Sequence, residues 1–202
     1  MADLNSPITT PPDEGNRRAD ILHAAGRLFR EKGYKGTTIR DIAAAVGMRS
    51  GSPFYHFKTK HDMLRAVVLD GMQSIHDAVL AAEQGISDPR ERFQRMLAAH
   101  LQALLGPDGR DFAAAVLHEC HALDPDAAAE MSSRKDAYEQ LWSEVLDELH
   151  ATGDLKGDMH LTRLLLLGAA NWSTQWYKPR GGASPQQIAD QLAALVLSPK
   201  AL

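Results

Sequence analysis

The fold is decided by residues 37–60, TTIRDIAAAVGMRSGSPFYHFKTK, which fit two short helices separated by a tight turn. Thr37 or Thr38 can cap the first helix by accepting a hydrogen bond from a free backbone amide. Gly47 ends that helix, because glycine enters the left-handed backbone conformation without strain. The second helix begins with small polar residues, ends in aromatic residues and is followed by lysines. This pattern is typical of a helix-turn-helix that lays its second helix in the major groove of DNA.

The polar side chains around this turn predict a surface that contacts double-stranded DNA. Arginine offers two donors to guanine and serine adapts to several bases, so Arg49, Ser50 and Ser52 are the candidates for base contacts. Arg40 can reach a phosphate or a guanine edge, and the lysines are predicted phosphate clamps. Phe57 is predicted to pack in the core instead. The predicted DNA-binding residues are Arg18, Thr38, Arg40, Arg49, Ser50, Ser52, Tyr55, His56, Lys58 and Lys60.

The distribution of charge supports the same surface. The whole chain carries a net charge of −4. Residues 15–62 hold ten Lys or Arg and four Asp or Glu, so this segment is at +6 and the remainder is at −10. A basic segment joined to an acidic one suits a domain that meets phosphates while the rest stays off the DNA. A solvated basic surface without a partner would show the same charges, and it is the motif that favours DNA.

Residues 18–64 resemble the DNA-binding domain of the TetR family of bacterial transcriptional regulators. The resemblance implies a three-helix DNA-binding head, a helical body that binds a small molecule, and a homodimer. It covers about a quarter of the chain, and its strength lies in the joint order and spacing of many residues. The matching residues are Ile21, Leu22, Ala25, Leu28, Phe29, Gly33, Tyr34, Thr37, Thr38, Ile42, Ala43, Gly47, Gly51, Ser52, Phe54, Tyr55, His56, Phe57, Lys60 and Leu64.

Composition and periodicity predict an all-α protein of about nine helices. The chain is rich in Ala and Leu, and no segment alternates with the period of a strand. We expect a mobile tail at 1–15, a DNA-binding head at 16–62 and a ligand-binding and dimerisation body at 63–202. Outside the helix-turn-helix, the predicted helices are 18–32, 60–84, 88–106, 109–123, 125–152, 160–178 and 185–197.

The last two predicted helices are the candidate dimer interface. Apolar side chains occur along both segments. Residues 160–178 contain several leucines and Trp172, and residues 185–197 contain Ile188, Leu192, Leu195 and Val196. Two such helices from each subunit can form an isologous four-helix bundle. A dimer presents two reading helices and therefore binds a palindrome, which one short helix is too small to specify. Closure of the monomer's own core would use some of the same residues.

Aromatic and apolar residues of the body are candidates for a ligand pocket, although each is equally compatible with plain core packing. They are Phe112, Val116, Trp142, Trp172 and Trp176. Residues 171–190 resemble the C-terminal part of TetR regulators of fatty-acid or steroid breakdown that respond to acyl-CoA thioesters. That resemblance implies an effector with an apolar part and an anionic part, which Arg163, Lys178 and Arg180 would meet. The resulting hypothesis is a repressor, without cofactor, that such an effector releases from its operator.

A metal-binding protein or metal-dependent enzyme is the alternative hypothesis. His118 and His121 are three residues apart on a predicted helix, and His100 could approach them from the preceding one. Helical histidines more often cap or pack, so we assign no metal and no catalytic residue. The single cysteine, Cys120, cannot form an internal disulfide, and the polar N-terminus does not resemble a signal peptide. A reducing cytoplasm is the expected location.

Overall fold

The computed structural model describes residues 14–49, 52–106 and 109–199, and these residues form helices and turns without a strand. The all-α prediction is therefore confirmed. Eight α-helices and two short 3-10 turns stand where about nine helices are predicted. The helices are α1 Glu14–Gly36, α2 Ile39–Ala45, α3 Lys60–Glu83, α4 Pro89–Leu105, α5 Gly109–His118, α6 Pro125–Ala151, α7 Met159–Trp176 and α8 Pro185–Val196, and the 3-10 turns are Ser52–Tyr55 and Cys120–Ala122.

Three boundaries differ from the predicted ones. The predicted third helix is described only from Ser52 onwards, as a 3-10 turn, because residues 50 and 51 lie outside the described residues. The predicted tail also lies outside them, except that α1 already begins at Glu14. The predicted border between head and body, at 62/63, falls inside α3. A single helix thus spans the predicted border.

Local signals set the ends of α2. Thr38 is its N-cap and accepts a hydrogen bond from the backbone amide of Asp41, whose carboxylate accepts from the Thr38 amide in return. Hydrogen bonds from the Thr38 side chain and backbone, and from Lys32, lower the pKa of Asp41 to about 2. Gly47 follows the helix with φ of 66°, as predicted. The carboxylate at the third helical position also complements the helix dipole.

A second glycine breaks α1. Gly33 has φ of 73°, so the backbone leaves the helical path there before a last turn that reaches Gly36. The ring of Tyr34 returns onto Phe29, with 5.5 Å between centroids in an edge-to-face arrangement. The predicted end of this helix near residue 32 therefore corresponds to a real change of direction. The change lets the chain turn towards α2.

One continuous apolar core runs from the head into the body. Ile21, Phe29 and Ile42 form its head end with Phe57, which is buried as predicted. Met63, Leu64 and Val67 of α3 carry the core across the border, and α4 and α6 continue it. This arrangement couples the orientation of the head to the packing of the body. The core's body end includes Phe93, Met96, Leu97, Leu101, Trp142, Leu146 and Leu149.

None of the helices in the described ranges combines the length and the apolar character that a bilayer span requires.

Candidate DNA-binding surface and effector site

Four of the predicted DNA-binding side chains are exposed around the turn at Gly47. Arg40 on α2 and Arg49 after the turn are both exposed. Lys58, which follows the 3-10 turn Ser52–Tyr55, is exposed as well. Tyr55 is 79% exposed, an unusual position for an aromatic side chain. The half-buried ring of His56 meets Tyr55 edge-to-face at 5.3 Å between centroids. These groups supply cations and hydrogen-bond donors at the place where the motif predicts them.

Thr38 and Arg18, two of the predicted DNA-binding residues, have partners within the protein. The Thr38 hydroxyl lies 2.6 Å from Asp41 and belongs to the helix cap. The guanidinium of Arg18 lies 3.3 Å from the Asp70 carboxylate and 5.3 Å from the centre of the Phe57 ring. Arg18 therefore ties the start of α1 to α3. Ser50 and the side chain of Ser52 lie outside the described residues, and their predicted base contacts stay predictions.

Lys60 occupies a place that differs from the predicted phosphate clamp. Its ammonium donates to the backbone carbonyls of Tyr34 and Thr37, at 2.8 Å each. It also lies 4.3 Å from the centre of the Tyr34 ring, within the range of a cation–π interaction. These three contacts hold the bend after α1 against the start of α3. In this structure the Lys60 ammonium is therefore held by groups of the protein itself, where the sequence predicts a clamp for phosphate.

The head is also tied to the body through α5 and the turn that follows it. Arg30 Nε donates to Asp111 at 2.7 Å, and the backbone amide of Tyr34 donates to Glu119 at 3.0 Å. The ring of His23 meets Phe112 edge-to-face with centroids 4.9 Å apart. The sequence did not point to these pairs, because the partners are 80 or more residues apart and carry no motif. They hold α1 and the bend that follows it against α5 and the turn after α5.

The five predicted ligand-lining residues are not brought together. Trp142 is fully buried in the core, and Val116 is also buried, on α5. Trp172 and Trp176 are 66% and 51% exposed on the outer side of α7. Phe112 alone of the five lines a large groove of about 660 Å³, which lies between α1, α3, α4 and α5. The tryptophans therefore belong to two different environments.

The residues predicted to bind the anionic part of the effector do not lie together either. Arg163 forms a close ion pair with Glu139 of α6 and has little exposed surface, so its charge already has a partner. Lys178 and Arg180 are exposed beyond the end of α7. The three residues thus do not form one cationic site in this structure. Any anion that Lys178 and Arg180 met would lie at the surface.

The histidines of the metal hypothesis do not share a helix face. The helix predicted over 109–123 ends at His118, and His121 lies in a 3-10 turn, so the three-residue spacing is no longer that of one helix. His118 Nε2 lies 2.9 Å from the Gln175 amide, and His100 is buried against Tyr138. Within the described residues, no group of three or more His, Cys, Asp or Glu is arranged to hold a metal ion.

His100 belongs instead to a cluster of aromatic rings inside the body. Its Nδ1 lies 2.6 Å from the Tyr138 hydroxyl, and its ring is 5.8 Å from that of Trp142. Burial lowers the pKa of His100 to about 4, an effect that the nearby amide of Asn171 partly opposes. Burial also raises the pKa of Tyr138 above its ordinary value. Both groups are therefore neutral at pH 7.

The buried His100 should make the fold less stable in acid. Its folded pKa lies below the unfolded value of 6.5, so the unfolded chain binds more protons between these values. The stability that the buried, neutral His100 contributes is fully present above pH 6.5 and is lost as the pH falls towards 4. We expect wild type to lose about 2 to 3 kcal/mol more than His100→Gln between pH 7 and pH 4.5, measured by urea unfolding. His118→Gln, at an exposed position, should behave as wild type. Equal pH dependence in wild type and His100→Gln would contradict the assignment.

The similarity to known proteins extends beyond the helix-turn-helix motif to almost the whole chain. Residues 21–67 match the family described as bacterial regulatory proteins, tetR family, and residues 87–199 match the family described as tetracyclin repressor-like, C-terminal domain. The HTH-type transcriptional repressor KstR2 of Mycolicibacterium smegmatis (strain ATCC 700084 / mc(2)155) is 28% identical over 193 residues. That match covers 93% of this chain and 92% of the repressor.

Solved structures share the same fold. AibR in complex with isovaleryl coenzyme A and operator DNA has a TM-score of 0.82 and 28% identity, covering 91% of this chain and 100% of AibR. Superantigen pfit has a TM-score of 0.76 and 35% identity, covering 95% of this chain and 92% of that chain. The two matched families together span the head and most of the body. This chain therefore belongs to the TetR family of bacterial transcriptional regulators.

Proposed function

We propose that this chain is a ligand-responsive repressor that binds a palindromic operator as a homodimer, and not an enzyme. The observation that carries the proposal is the set of exposed groups around the Gly47 turn, namely Arg40, Arg49, Tyr55 and Lys58. Cations there would neutralise phosphates, while Arg49 would read a base edge. The similarity to KstR2, a transcriptional repressor, supports repression. DNA in a bacterium lies in the cytoplasm, where we place this activity.

Dimerisation through α7 and α8 is supported by apolar side chains on their outer sides. Of the 18 residues of α7, only Leu166, Ala170 and Ser173 are buried. A contiguous apolar surface of this kind marks an interface in a protein that is otherwise polar outside. Two copies joined there would present their two heads to successive turns of DNA. The exposed apolar residues are Leu161, Leu164, Leu165, Trp172 and Trp176 of α7 and Leu195 of α8.

An acyl-CoA thioester is the effector class that we propose, because AibR has been solved with isovaleryl coenzyme A and shares this fold. The groove beside Phe112 offers space for it next to α5. A Cβ added to Gly71 would lie 2.7 Å from the Cβ of Phe112, so α3 and α5 are closely packed at this point. A ligand that parts these helices would shift α5, and the Arg30–Asp111 pair would carry the shift to the head.

Operator binding tests the function. With DNA from the chain's own promoter, we expect Arg49→Ala to weaken specific binding about tenfold to a hundredfold, while non-specific binding changes much less. Arg95→Ala is the matched control, since this arginine is exposed on α4 in the body. Fluorescence anisotropy at two salt concentrations gives both affinities. Operator affinity within twofold of wild type for Arg49→Ala would contradict the assigned surface. Release of the DNA by isovaleryl coenzyme A, but not by free coenzyme A, tests the effector class.

A further inference from the structure

A second cavity lies where the head meets two parts of the body. It has a volume of about 320 Å³ and is bounded by α1 of the head and by α4, α5 and α7. The described residues that line it include two arginines, Arg30 and Arg110, and no aspartate or glutamate. Thr174 and Gln175 of α7 add further polar groups. Arginines that line one cavity without an acidic residue favour an anion as its occupant.

Arg30 is held in place through one of its nitrogens. Its Nε donates to the Asp111 carboxylate at 2.7 Å, across the junction of head and body. One terminal nitrogen lies 3.5 Å from a carboxylate oxygen of Glu31, which is longer than a usual hydrogen bond. The remaining N–H donors of a guanidinium group are all on its terminal nitrogens. Asp111 therefore orients Arg30 without using the donors that a ligand in the cavity would need.

Arg110 brings a second positive charge to the cavity. Its side chain is half-buried on α5, and it forms no ion pair with any residue in the described ranges. Charged side chains that are partly removed from solvent are usually paired. Arg110, Ala114 and His118 follow one another at intervals of four residues, so they share the face of α5 that lines the cavity. An anion bound there would pair with Arg110.

The wall of the cavity opposite the head is formed by α7. The side-chain amide of Gln175 donates to His118 Nε2 at 2.9 Å, a bond that joins α7 to α5. The hydroxyl of Thr174 donates to the backbone carbonyl of Asn171 at 2.8 Å. These bonds fix the polar groups of the wall beside the arginines. A ligand in the cavity would contact the head, α5 and the helix of the proposed dimer interface at once.

Two guanidinium groups suit a phosphoryl group better than a carboxylate. A carboxylate has two oxygens, which a single arginine can bind, whereas a terminal phosphoryl group has three oxygens and up to two charges. The cavity beside Arg65 and Arg134 differs, because Glu130 also lines it and pairs with both. The basic residues that the sequence suggests for an anionic effector do not lie together, and this cavity supplies such a site instead.

From these observations we propose that Arg30 and Arg110 bind a phosphoryl group in the cavity between α1, α5 and α7. Coenzyme A thioesters carry phosphoryl groups, and so do free phosphorylated metabolites. With the first source the proposal rests on the proposed function, and with the second it stands without it. In either case the bound group would lie against Arg30, whose bond to Asp111 ties the head to the body. Occupancy of the site would therefore bear directly on the position of α1.

Binding of inorganic pyrophosphate, measured by calorimetry at fixed ionic strength, tests the site. We expect Arg110→Gln to weaken this binding about tenfold to a hundredfold, because it removes a charge-assisted hydrogen bond. Arg95→Gln is the matched control and should bind as wild type does, since Arg95 is exposed on α4 and paired with Glu91. Malonate, which carries two carboxylates, should bind to wild type about tenfold more weakly than pyrophosphate. Equal affinity for the two anions would overturn the assignment, and this comparison needs no variant.

A pair of thioesters identifies the source of the phosphoryl group. Isovaleryl coenzyme A and isovaleryl pantetheine carry the same acyl group, and only the first carries phosphates. If those phosphates occupy the site, Arg110→Gln weakens binding of isovaleryl coenzyme A and leaves that of isovaleryl pantetheine unchanged. If the variant weakens only pyrophosphate binding, the site takes a free phosphorylated ligand, and it stands even where isovaleryl coenzyme A fails to release the operator. If neither pyrophosphate nor isovaleryl coenzyme A binds less tightly to Arg110→Gln, the proposal is refuted.

Discussion

Trp142→Ala is expected to lower the free energy of unfolding by about 3 to 5 kcal/mol, the cost of a large cavity in a packed core. Trp142 is fully buried, and its ring packs on those of Phe93, His100 and Tyr138, with centroids 6.3, 5.8 and 6.2 Å away. Because α4 and α6 also pack against other helices, we expect the core to close only partly around the vacated volume. Urea unfolding at fixed protein concentration measures the loss.

Trp172→Ala is the matched control for this loss. Trp172 is 66% exposed on α7, so its removal leaves no internal cavity. We expect less than about 1 kcal/mol of change in subunit stability. If the proposed dimer forms through α7 and α8, we also expect a shift from dimer to monomer that sedimentation detects as the protein is diluted. If Trp172→Ala unfolded as readily as Trp142→Ala in concentrated protein, the two environments would have been assigned wrongly.

Lys60→Met is expected to destabilise the fold by about 2 kcal/mol, since it removes a cation that donates to two partly buried carbonyls. The carbonyls of Tyr34 and Thr37 would lose their 2.8 Å bonds, and the Tyr34 ring would lose its cation. The bend after α1 would then be held less firmly against α3. Thermal unfolding gives the stability, and the salt dependence of operator binding should keep its slope, because no phosphate contact is lost.

Lys58→Met gives the opposite pattern and serves as the control. Lys58 is exposed two residues earlier in the chain. Its loss should leave stability within about 0.5 kcal/mol of wild type but reduce the salt slope by about one, the effect of a single lost phosphate contact. A reduced salt slope in Lys60→Met with unchanged stability would restore the phosphate clamp and contradict the structural role.

The pair Arg30–Asp111 shows why the coupling between head and body could not be predicted. Both residues are charged and partly exposed, and neither stands in a motif. Their 2.7 Å contact depends on α1 and α5 lying side by side, which is a property of the assembled core. The same is true of Tyr34 and Glu119. A sequence pattern reports neighbours along one helix, whereas these partners are brought together by packing.

Local patterns in the sequence account for the helices and most of their ends. Thr38, Gly47 and Ser184 act on helix ends through neighbours within three or four residues. Their effect can therefore be predicted from adjacent residues in the sequence. Packing between helices, in contrast, places one tryptophan in the core and others at the surface, and brings one lysine to backbone carbonyls while another stays in solvent. Those outcomes depend on the face that each helix turns inward, which is settled by contacts between residues far apart in sequence. Trp142 and Trp172, or Lys58 and Lys60, are chemically alike, and only their position in the packed structure separates their roles.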